Sequence, residues 1–224
     1  MLEAVSAHAQ YAEQICHEMA ESAKARGTGI ARRTPEYIQQ KIQEGKAVIA
    51  FSKTGEWAGF CYIETWGHGE YVANSGLIVS PAFRKSGLAR LIKKKIFKLS
   101  RKKYPEAKIF GLTTGLAVMK INSELGYEPV TYSELTTDEE FWKGCQSCVN
   151  FEILKSKERK NCMCTAMLYD PKLKKKKLPA FDFTRQSGIL ERLTRIKQIS
   201  FLKLLKPESK TSSKNGKEKS SSGI

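Results

Sequence analysis

The hydrophobic pattern of the chain changes its period at Gly87. Before this glycine, residues 71–79 have the apolar composition of a strand. After it, apolar residues recur at the spacing of one helical face, and lysines occupy the other face. These apolar residues are Leu88, Leu91, Ile92, Ile96 and Leu99. A strand that leads through a glycine-containing turn into a basic amphipathic helix favours an α/β fold.

The remaining pattern predicts further elements around this unit. Helices are expected at residues 5–26, 35–45 and 118–125, and strands at 47–51, 57–66, 71–79, 108–114, 149–154 and 163–169. A chain of 224 residues that is 41% hydrophobic is long enough for one domain with a core and short for two. We therefore predict an α/β domain at residues 1–171, in which an antiparallel meander leads to a β-α-β-α unit.

The turn at residues 84–89 is suited to a phosphate ligand. The first backbone N–H groups of a helix lack partners and carry a positive potential, so a turn that leads into a helix can hold a pyrophosphate. Gly87 lets the backbone approach closely, and Ala89 is small. An ordinary strand-to-helix turn is the alternative that these six residues leave open.

Residues 77–89 resemble the strand, loop and acyl-CoA signature of the GNAT superfamily of N-acyltransferases. The following helix, the strand at 109–114 and the segment 124–127 occur in the order of that family. The resemblance implies a mixed central sheet flanked by helices, and acetyl-CoA or another acyl-CoA as donor. The residues that it assigns to the cofactor are Arg84, Lys85, Ser86, Gly87, Leu88 and Ala89.

The resemblance also implies direct attack of an amine on the thioester in a ternary complex. In the family, a backbone N–H near the end of the third strand polarises the thioester carbonyl, and the matching positions are Ile78 and Val79. A base must take a proton from the amine, and Glu64, His68 and Glu70 are candidates on or beside the flanking strands. The alternative for each of these three is a solvated turn or strand-edge residue.

One position departs from the family. Many members have a tyrosine four residues before the glycine of the Leu-Gly-Tyr element, where it can protonate the leaving thiolate, and this chain has Asn122 there. An amide cannot act as a general acid, although it can hydrogen-bond the sulfur or a water. Either another group such as Tyr127 or Tyr132 protonates the thiolate, or the thiolate leaves unaided.

Within the superfamily, the chain is most similar to N-acetylglutamate synthase-type domains. Residues 29–37 resemble their early substrate-side segment, and residues 110–114 resemble their strand with a Leu-Thr-Thr triplet. Arg32 or Arg33 would then hold a carboxylate, since a guanidinium binds carboxylate in a two-pronged fork. This implies a small-molecule amine acceptor such as glutamate. The alternative is that both arginines are merely exposed basic residues.

Four cysteines of the last third form two close pairs. Cys145 and Cys148 have a usual chelate spacing, whereas Cys162 and Cys164 have a single residue between them. Four thiolates suit tetrahedral zinc, so a structural zinc is one prediction. A redox pair and ordinary buried thiols are the alternatives.

Residues 172–224 differ in composition from the rest and carry most of the formal net charge of +16. They predict a basic extension with an amphipathic helix at 187–205 and a disordered segment at 206–224. The helix can dock on its own domain or weakly contact an anionic surface or nucleic acid. A nucleic-acid- or membrane-associated module on a degenerate acyltransferase fold, using this extension and the Lys93–Lys103 face, is therefore the second function class. The N-terminus has no basic lead before an apolar run, so we expect a cytoplasmic protein.

Overall fold

Seven strands form one mixed sheet in the computed structural model, which describes residues 2–27 and 32–173. The strands are β1 (Leu2–Glu3), β2 (Ala47–Phe51), β3 (Trp57–Trp66), β4 (Tyr71–Val79), β5 (Lys108–Thr113), β6 (Glu128–Val130) and β7 (Thr165–Tyr169). The helices are α1 (Ala12–Arg26), α2 (Pro35–Gln43), α3 (Leu88–Lys103), α4 (Leu116–Glu124), α5 (Glu139–Lys143) and α6 (Phe151–Ser156). Their strand order across the sheet is β1-β2-β3-β4-β5-β7-β6.

The connections between strands follow from the lengths of the intervening segments. Strands β1 to β4 pair antiparallel in sequence order. The longer crossover through α3 makes β5 parallel to β4, and β7 then pairs antiparallel with both β5 and β6. The predicted meander and the β-α-β-α unit are both confirmed, and so is the mixed sheet flanked by helices.

Helices cover both faces of the sheet, so the central strands are buried on both sides. On one face, Ile92, Ile96 and Leu99 of α3 pack against Cys61 and Ile63 of β3. On the other face, residues of α1 and α2 pack against the alternate positions of β3. The main contributors there are Ile15, Met19, Ile38, Ile42, Phe60 and Tyr62. Each fully buried aliphatic side chain contributes about 1.5–3 kcal/mol relative to exposure.

A third core cluster lies at the β5–β7 end of the sheet. Phe110, Phe141, Trp142 and Leu154 belong to it. Residues 149–154 are predicted as a strand, and this prediction is wrong. Because β7 already has a partner on each side, the segment adds no strand there and instead forms α6, whose buried residue is Leu154.

The predicted helical extension at 187–205 and the segment 206–224 lie outside the described residues, so the domain boundary at residue 171 stays a prediction. Within residues 2–27 and 32–173, no helix combines the length and the apolar character that a membrane span requires.

Candidate functional site

A cleft opens between β4 and β5 because the two strands pair over only three residues. Tyr71–Ala73 lie opposite Lys108–Phe110, and β5 continues beyond this point paired with β7 alone. The gap holds a cavity of about 470 Å³. Its walls come from β3, β4, β5, α3, α4, the region around α5, and Cys164 before β7.

A bulge at Gly76 bends β4 beside this cleft. Phe60 lies opposite Ile78 and Tyr62 opposite Ser75, so β4 has one extra residue in the interval that contains Gly76. Gly76 has φ +62°, and a Cβ atom there would lie 2.3 Å from both Met19 and Tyr62. No other residue fits this position without distortion. An isolated glycine inside a strand pattern was the sequence signal for this bulge.

The backbone after the bulge directs one amide away from β3. The Ser80 N–H donates to Ala58 O at 3.0 Å. Since N–H directions alternate along an antiparallel strand, the Ile78 amide points to β3 and the Val79 amide points to the opposite side. Of the two predicted carbonyl-polarising amides, Val79 is therefore the one whose N–H the ladder with β3 leaves unused.

The turn at 84–89 presents a row of free backbone donors. The N–H groups of residues 85–89 donate to no described residue. Lys85 and Gly87 have φ values of 62° and 81°, a left-handed conformation that turns successive N–H groups toward one side. Space is open beside Gly87, because nothing lies within 4 Å of a Cβ built there. The turn fits an anionic group such as a pyrophosphate at the start of α3.

The Arg84 side chain holds this turn in place. Its Nε donates to Val79 O at 3.1 Å, and its Nη2 donates to Glu18 and Ser22 of α1 at 2.7 and 2.8 Å. The guanidinium thus connects the end of β4, the turn and α1. Arg84 supports the turn through its side chain, and the free donors belong to the backbone that follows it.

Glu64 lies on β3 where two cavities meet. Its Oε1 accepts hydrogen bonds from Arg33 Nη2 at 3.0 Å and from the Tyr37 hydroxyl at 2.6 Å. Its Oε2 accepts none from the described residues. Burial, followed by the neighbouring Glu64, raises the pKa of Tyr37, so the phenol keeps the proton that it donates. One oxygen of Glu64 is therefore fixed and the other is available.

The second cavity, of about 400 Å³, lies on the side of Glu64 away from α3 and shares Glu64 and Trp66 with the cleft. We call it the side pocket. Arg32, Arg33 and Lys41 also line it. Arg32 and Arg33 come at the start of α2, where Thr34 accepts a hydrogen bond from the Tyr37 amide and Pro35 begins the helix, as predicted.

The two predicted substrate arginines differ in what they already bind. Arg33 donates to Tyr62 at 2.8 Å, to Glu64 and to the carbonyl of Arg32, so its donors are committed. Burial opposes its charge, but Tyr62 and Glu64 keep its pKa above the ordinary value. The side chain of Arg32 is exposed and makes no hydrogen bond to a described side chain. Arg32 is thus the one of the pair that a ligand can use.

His68 and Glu70 do not reach the cleft. They lie in the connection between β3 and β4, at the end of the strands opposite to the turn at 84–89, and both are exposed. His68 lines a separate shallow pocket with Tyr104 and Asp138. Of the three predicted bases, the fold brings only Glu64 to the cleft.

Asn122 is buried at the cleft, with an exposed fraction of 1%. Its Oδ1 has no hydrogen-bond partner in the described part of the chain, and its Nδ2 has a weak contact of 3.7 Å with Met167 Sδ. The two tyrosines considered as proton donors are committed elsewhere. Tyr127 donates to Asn74 at 3.1 Å, and Tyr132 donates to the carbonyl of Cys164 at 2.8 Å.

The zinc prediction needs correction. Among residues 2–27 and 32–173, no group of three or more His, Cys, Asp or Glu side chains is arranged to hold a metal. Cys145 and Cys162 pack as apolar side chains on the third core cluster. The sulfur of Cys148 accepts a hydrogen bond from the amide of Asn150, and the thiol of Cys162 points at the carbonyl of the same residue. All six cysteines are free thiols.

Lys93 was predicted on the exposed basic face of α3, and this prediction is wrong. The residue is 2% exposed and lines the cleft. The signal in the sequence was its spacing, because Lys93, Ile96 and Ser100 follow the i, i+3, i+7 pattern of one buried helix face. Sequence reasoning therefore missed the buried lysine of this cleft.

Comparison with known proteins identifies the fold that carries the splayed strands, the bulge and the turn before α3. No protein-family model matches the sequence, and no curated protein matches it. Solved structures do match, each at a probability of 1.00.

One of them is the N-acetylglutamate synthase of Neisseria gonorrhoeae, complexed with coenzyme A and N-acetyl-glutamate, with 17% identity and a TM-score of 0.51 over 70% of this chain. The chain spans 32% of that synthase. Another is the Rv2747 protein of Mycobacterium tuberculosis in complex with CoA, with 15% identity, a TM-score of 0.53, and coverage of 75% of this chain and 97% of that protein.

A third is a GNAT superfamily phosphinothricin acetyltransferase from Sinorhizobium meliloti in complex with acetyl-CoA. It has 13% identity and a TM-score of 0.51, and the match covers 75% of this chain and 86% of that protein. These likenesses confirm the GNAT fold and the similarity to N-acetylglutamate synthase domains.

Proposed function

We propose that this protein transfers an acyl group from acyl-CoA to a primary amine of a small molecule. Two observations carry the proposal: the cleft between β4 and β5, and the five backbone amides at residues 85–89, after the end of β4, which donate to no described residue. This arrangement offers an anion site for the diphosphate and an extended groove for the pantetheine. The fold-level likeness to acetyltransferases solved with CoA supports the same assignment.

The residues at the cleft have roles in direct attack on a thioester. The Val79 amide, directed away from β3, is the donor for the carbonyl oxygen as negative charge develops there. The free Oε2 of Glu64 takes the proton of the attacking amine, directly or through a water. Arg33 and Tyr37 hold the other oxygen of Glu64, so the carboxylate keeps its orientation while it acts.

The side pocket is the route that we propose for the acceptor, because it joins the cleft at Glu64. It contains the uncommitted guanidinium of Arg32 near its mouth and the carboxylate of Glu64 at its junction with the cleft. A molecule with a carboxylate and an amine matches these two charges. We therefore infer an amino-acid acceptor such as glutamate, and acetyl as the acyl group.

The test is a screen of amino acids, polyamines and peptide amines for CoA release, followed by the Arg32→Ala variant with the best acceptor. Loss of one charge-assisted contact to a carboxylate costs about 1.5–3 kcal/mol, so kcat/KM for the acceptor should fall roughly ten- to a hundredfold. The KM for acyl-CoA should stay within about twofold. Lys53→Ala, which removes an exposed cation in the β2–β3 turn, is the matched control.

Two results would count against the proposal, one against the acceptor and the other against the transferase activity. Acylation of polyamines or peptide amines with no activity on amino acids would remove the acceptor assignment and leave the transferase in place. No CoA release with any amine, from protein that binds CoA, would remove the proposed function itself.

A further inference from the structure

Lys93 lies at the bottom of the cleft on the second turn of α3. Ile92, Ile96 and Ser100 share its buried face. Its ammonium lies 5.5 Å from the centroid of the Tyr127 ring, and it lines the same cavity as Asn122. It donates no hydrogen bond to any residue that the structure describes. A buried cation thus faces the site where the proposed reaction takes place.

No carboxylate compensates this charge within the described residues. From β3, Cys61 is close enough to interact electrostatically, but burial raises the pKa of that thiol to about 11 and keeps it neutral. Glu64, also on β3, is bound to Arg33 at 3.0 Å. Burial accordingly lowers the pKa of the Lys93 ammonium.

The groups on the other sides of the cleft are neutral as well. The Tyr127 hydroxyl donates to Asn74, and burial raises its pKa well above the ordinary value. Across the cleft, burial followed by neighbouring thiols raises the pKa of Cys145 to about 11 and of Cys164 to about 12. A buried ammonium surrounded in this way is unfavourable unless a ligand supplies negative charge.

The position of Lys93 indicates which ligand charge this is. The diphosphate belongs at residues 85–89, one turn earlier along α3, and the acceptor carboxylate belongs at Arg32 on the far side of Glu64. The charge that develops on the carbonyl oxygen belongs at the Val79 amide. The remaining negative charge of the reaction is the one that develops on the CoA sulfur. The buried Oδ1 of Asn122, unpaired among the described residues, is a second polar group directed at the same cleft.

On the basis of the proposed function, we propose that Lys93 protonates the sulfur of CoA as the thioester breaks. The amine nitrogen forms the C–N bond, the C–S bond breaks, and its electron pair goes to sulfur, which takes a proton from the Lys93 ammonium. The proton lost by the acceptor amine goes to Glu64. After product release, the neutral Lys93 amine regains a proton from solvent and Glu64 loses one to solvent, so atoms and charges balance.

Lys93 would supply the proton that comes from a tyrosine in many family members, at whose position this chain has Asn122. Tyr127 and Tyr132 already donate to Asn74 and to a backbone carbonyl. An amide has no acidic proton to give. Lys93 supplies one from the floor of the cleft instead of from α4.

The first test compares Lys93→Met with Lys94→Met, which removes an exposed lysine from the next position of the same helix. Each variant is assayed with acetyl-CoA and with an aryl thioester, whose thiolate is a weak base that leaves without a proton. For Lys93→Met we expect kcat with acetyl-CoA to fall about a hundredfold, and the rate with the aryl thioester to change less than about threefold. Lys94→Met should match the wild type with both donors. Equal losses with both donors would overturn the proposal, because they indicate a packing or acceptor-binding role.

The second test needs neither a variant nor an acceptor. The ultraviolet absorbance of thiolate is followed against pH for the full chain with CoA, and the complex with desulfo-CoA is subtracted to remove the protein thiols. We expect the thiol of bound CoA to keep its proton to at least as high a pH as free CoA does, because the sulfur, and not Lys93, holds the transferred proton after the reaction. Ionisation at lower pH would show a stable thiolate–ammonium pair with the proton left on Lys93, and it would overturn the proposal even if Lys93→Met fails to fold. Absence of CoA binding would instead count against the proposed function.

Discussion

The two walls of the cleft are built differently. The strand wall, defined by Glu64, residues 74–77 and Lys93, comes from the central strands β3 and β4 and from the long helix α3 that packs on them. The helix wall, defined by Phe141, Gly144, Cys145, Cys148 and Cys164, comes from the short helix α5, the turn after it and the residue before β7. The strand wall carries ionisable groups with free atoms, whereas the helix wall carries an aromatic ring and cysteine side chains.

This difference indicates that the two walls have different roles. Groups that move protons must be held in fixed geometry, and the strand wall does this through the Arg33 and Tyr37 contacts to Glu64 and through the buried face of α3. On the proposed function, we expect the helix wall to keep water from the same space, which would strengthen the electrostatic interactions across it. Changes in charge should therefore affect catalysis on the strand wall and have little effect on the helix wall.

The largest effect is expected from removing the charge of Glu64. Glu64→Gln keeps the size of the side chain and an acceptor oxygen for Tyr37, but the amide cannot take a proton, so kcat should fall about a hundredfold or more. The matched control is Glu139→Gln on α5, which removes an exposed carboxylate paired with Arg159. Surface ion pairs contribute little to stability, and Glu139 lines neither cavity, so its kcat should stay within about twofold. Steady-state kinetics at saturating substrate measures kcat for both variants.

A result in which the Glu139 variant loses as much activity as the Glu64 variant would show that the loss does not depend on a position in the strand wall. A Glu64→Gln protein with full kcat would assign the proton transfer to another group. Thermal unfolding of each variant establishes that the protein is folded before the rates are compared.

A smaller effect is expected from the thiols at alkaline pH. The pKa values of Cys145 and Cys164 lie above the ordinary value of 9.0, at about 11 and about 12. The folded state holds these protons more tightly than the unfolded state. The contribution of the protonated thiols to the free energy of unfolding is therefore complete below pH 9 and is lost as pH rises toward 11–12. Partial exposure screens the effect, so we expect about 1 kcal/mol per thiol.

Denaturant unfolding of the wild type and of a Cys145→Ala, Cys164→Ala double variant at neutral and alkaline pH measures this loss. The double variant should lose less stability between the two conditions than the wild type. The same decline in both proteins would show that the thiols are ionised or exposed, and the helix wall would then not be apolar.

The strand wall could be predicted from the sequence to a much greater extent than the helix wall. Long segments with clear periods predicted β3, β4 and α3, and a glycine at the change of period predicted the turn at 84–89. The isolated Gly76 is a sequence signal for the bulge, but the reason for the glycine lies in tertiary packing, because only the proximity of Met19 and Tyr62 shows why this position has no side chain. The sequence limited the candidate bases to three residues, and Glu64 is the one of the three that lines the cleft.

The sequence did not predict the helix wall, and the reasons are physical. Helix α5 has five residues, too few for a period to be visible, and α6 follows tertiary contacts of Leu154 against its strand-like composition. The Cys-x-x-Cys spacing indicated a metal, but the thiols pack on aromatic side chains. Lys93 was misassigned because a lysine in a run of lysines usually faces solvent.

The central claim is that the turn at 84–89 holds CoA at the start of the cleft, and calorimetric titration of CoA into three proteins tests it most directly. Gly87→Glu adds bulk and negative charge at the free amides. Gly55→Glu makes the same change at a glycine of the β2–β3 turn. Gly55 has a φ of 83°, close to the 81° of Gly87, and nothing lies within 4 Å of a Cβ built at either residue. Gly87→Glu should weaken CoA binding on the order of a hundredfold or more, whereas Gly55→Glu should bind CoA like the wild type. Unchanged CoA affinity in folded Gly87→Glu protein would contradict the central claim.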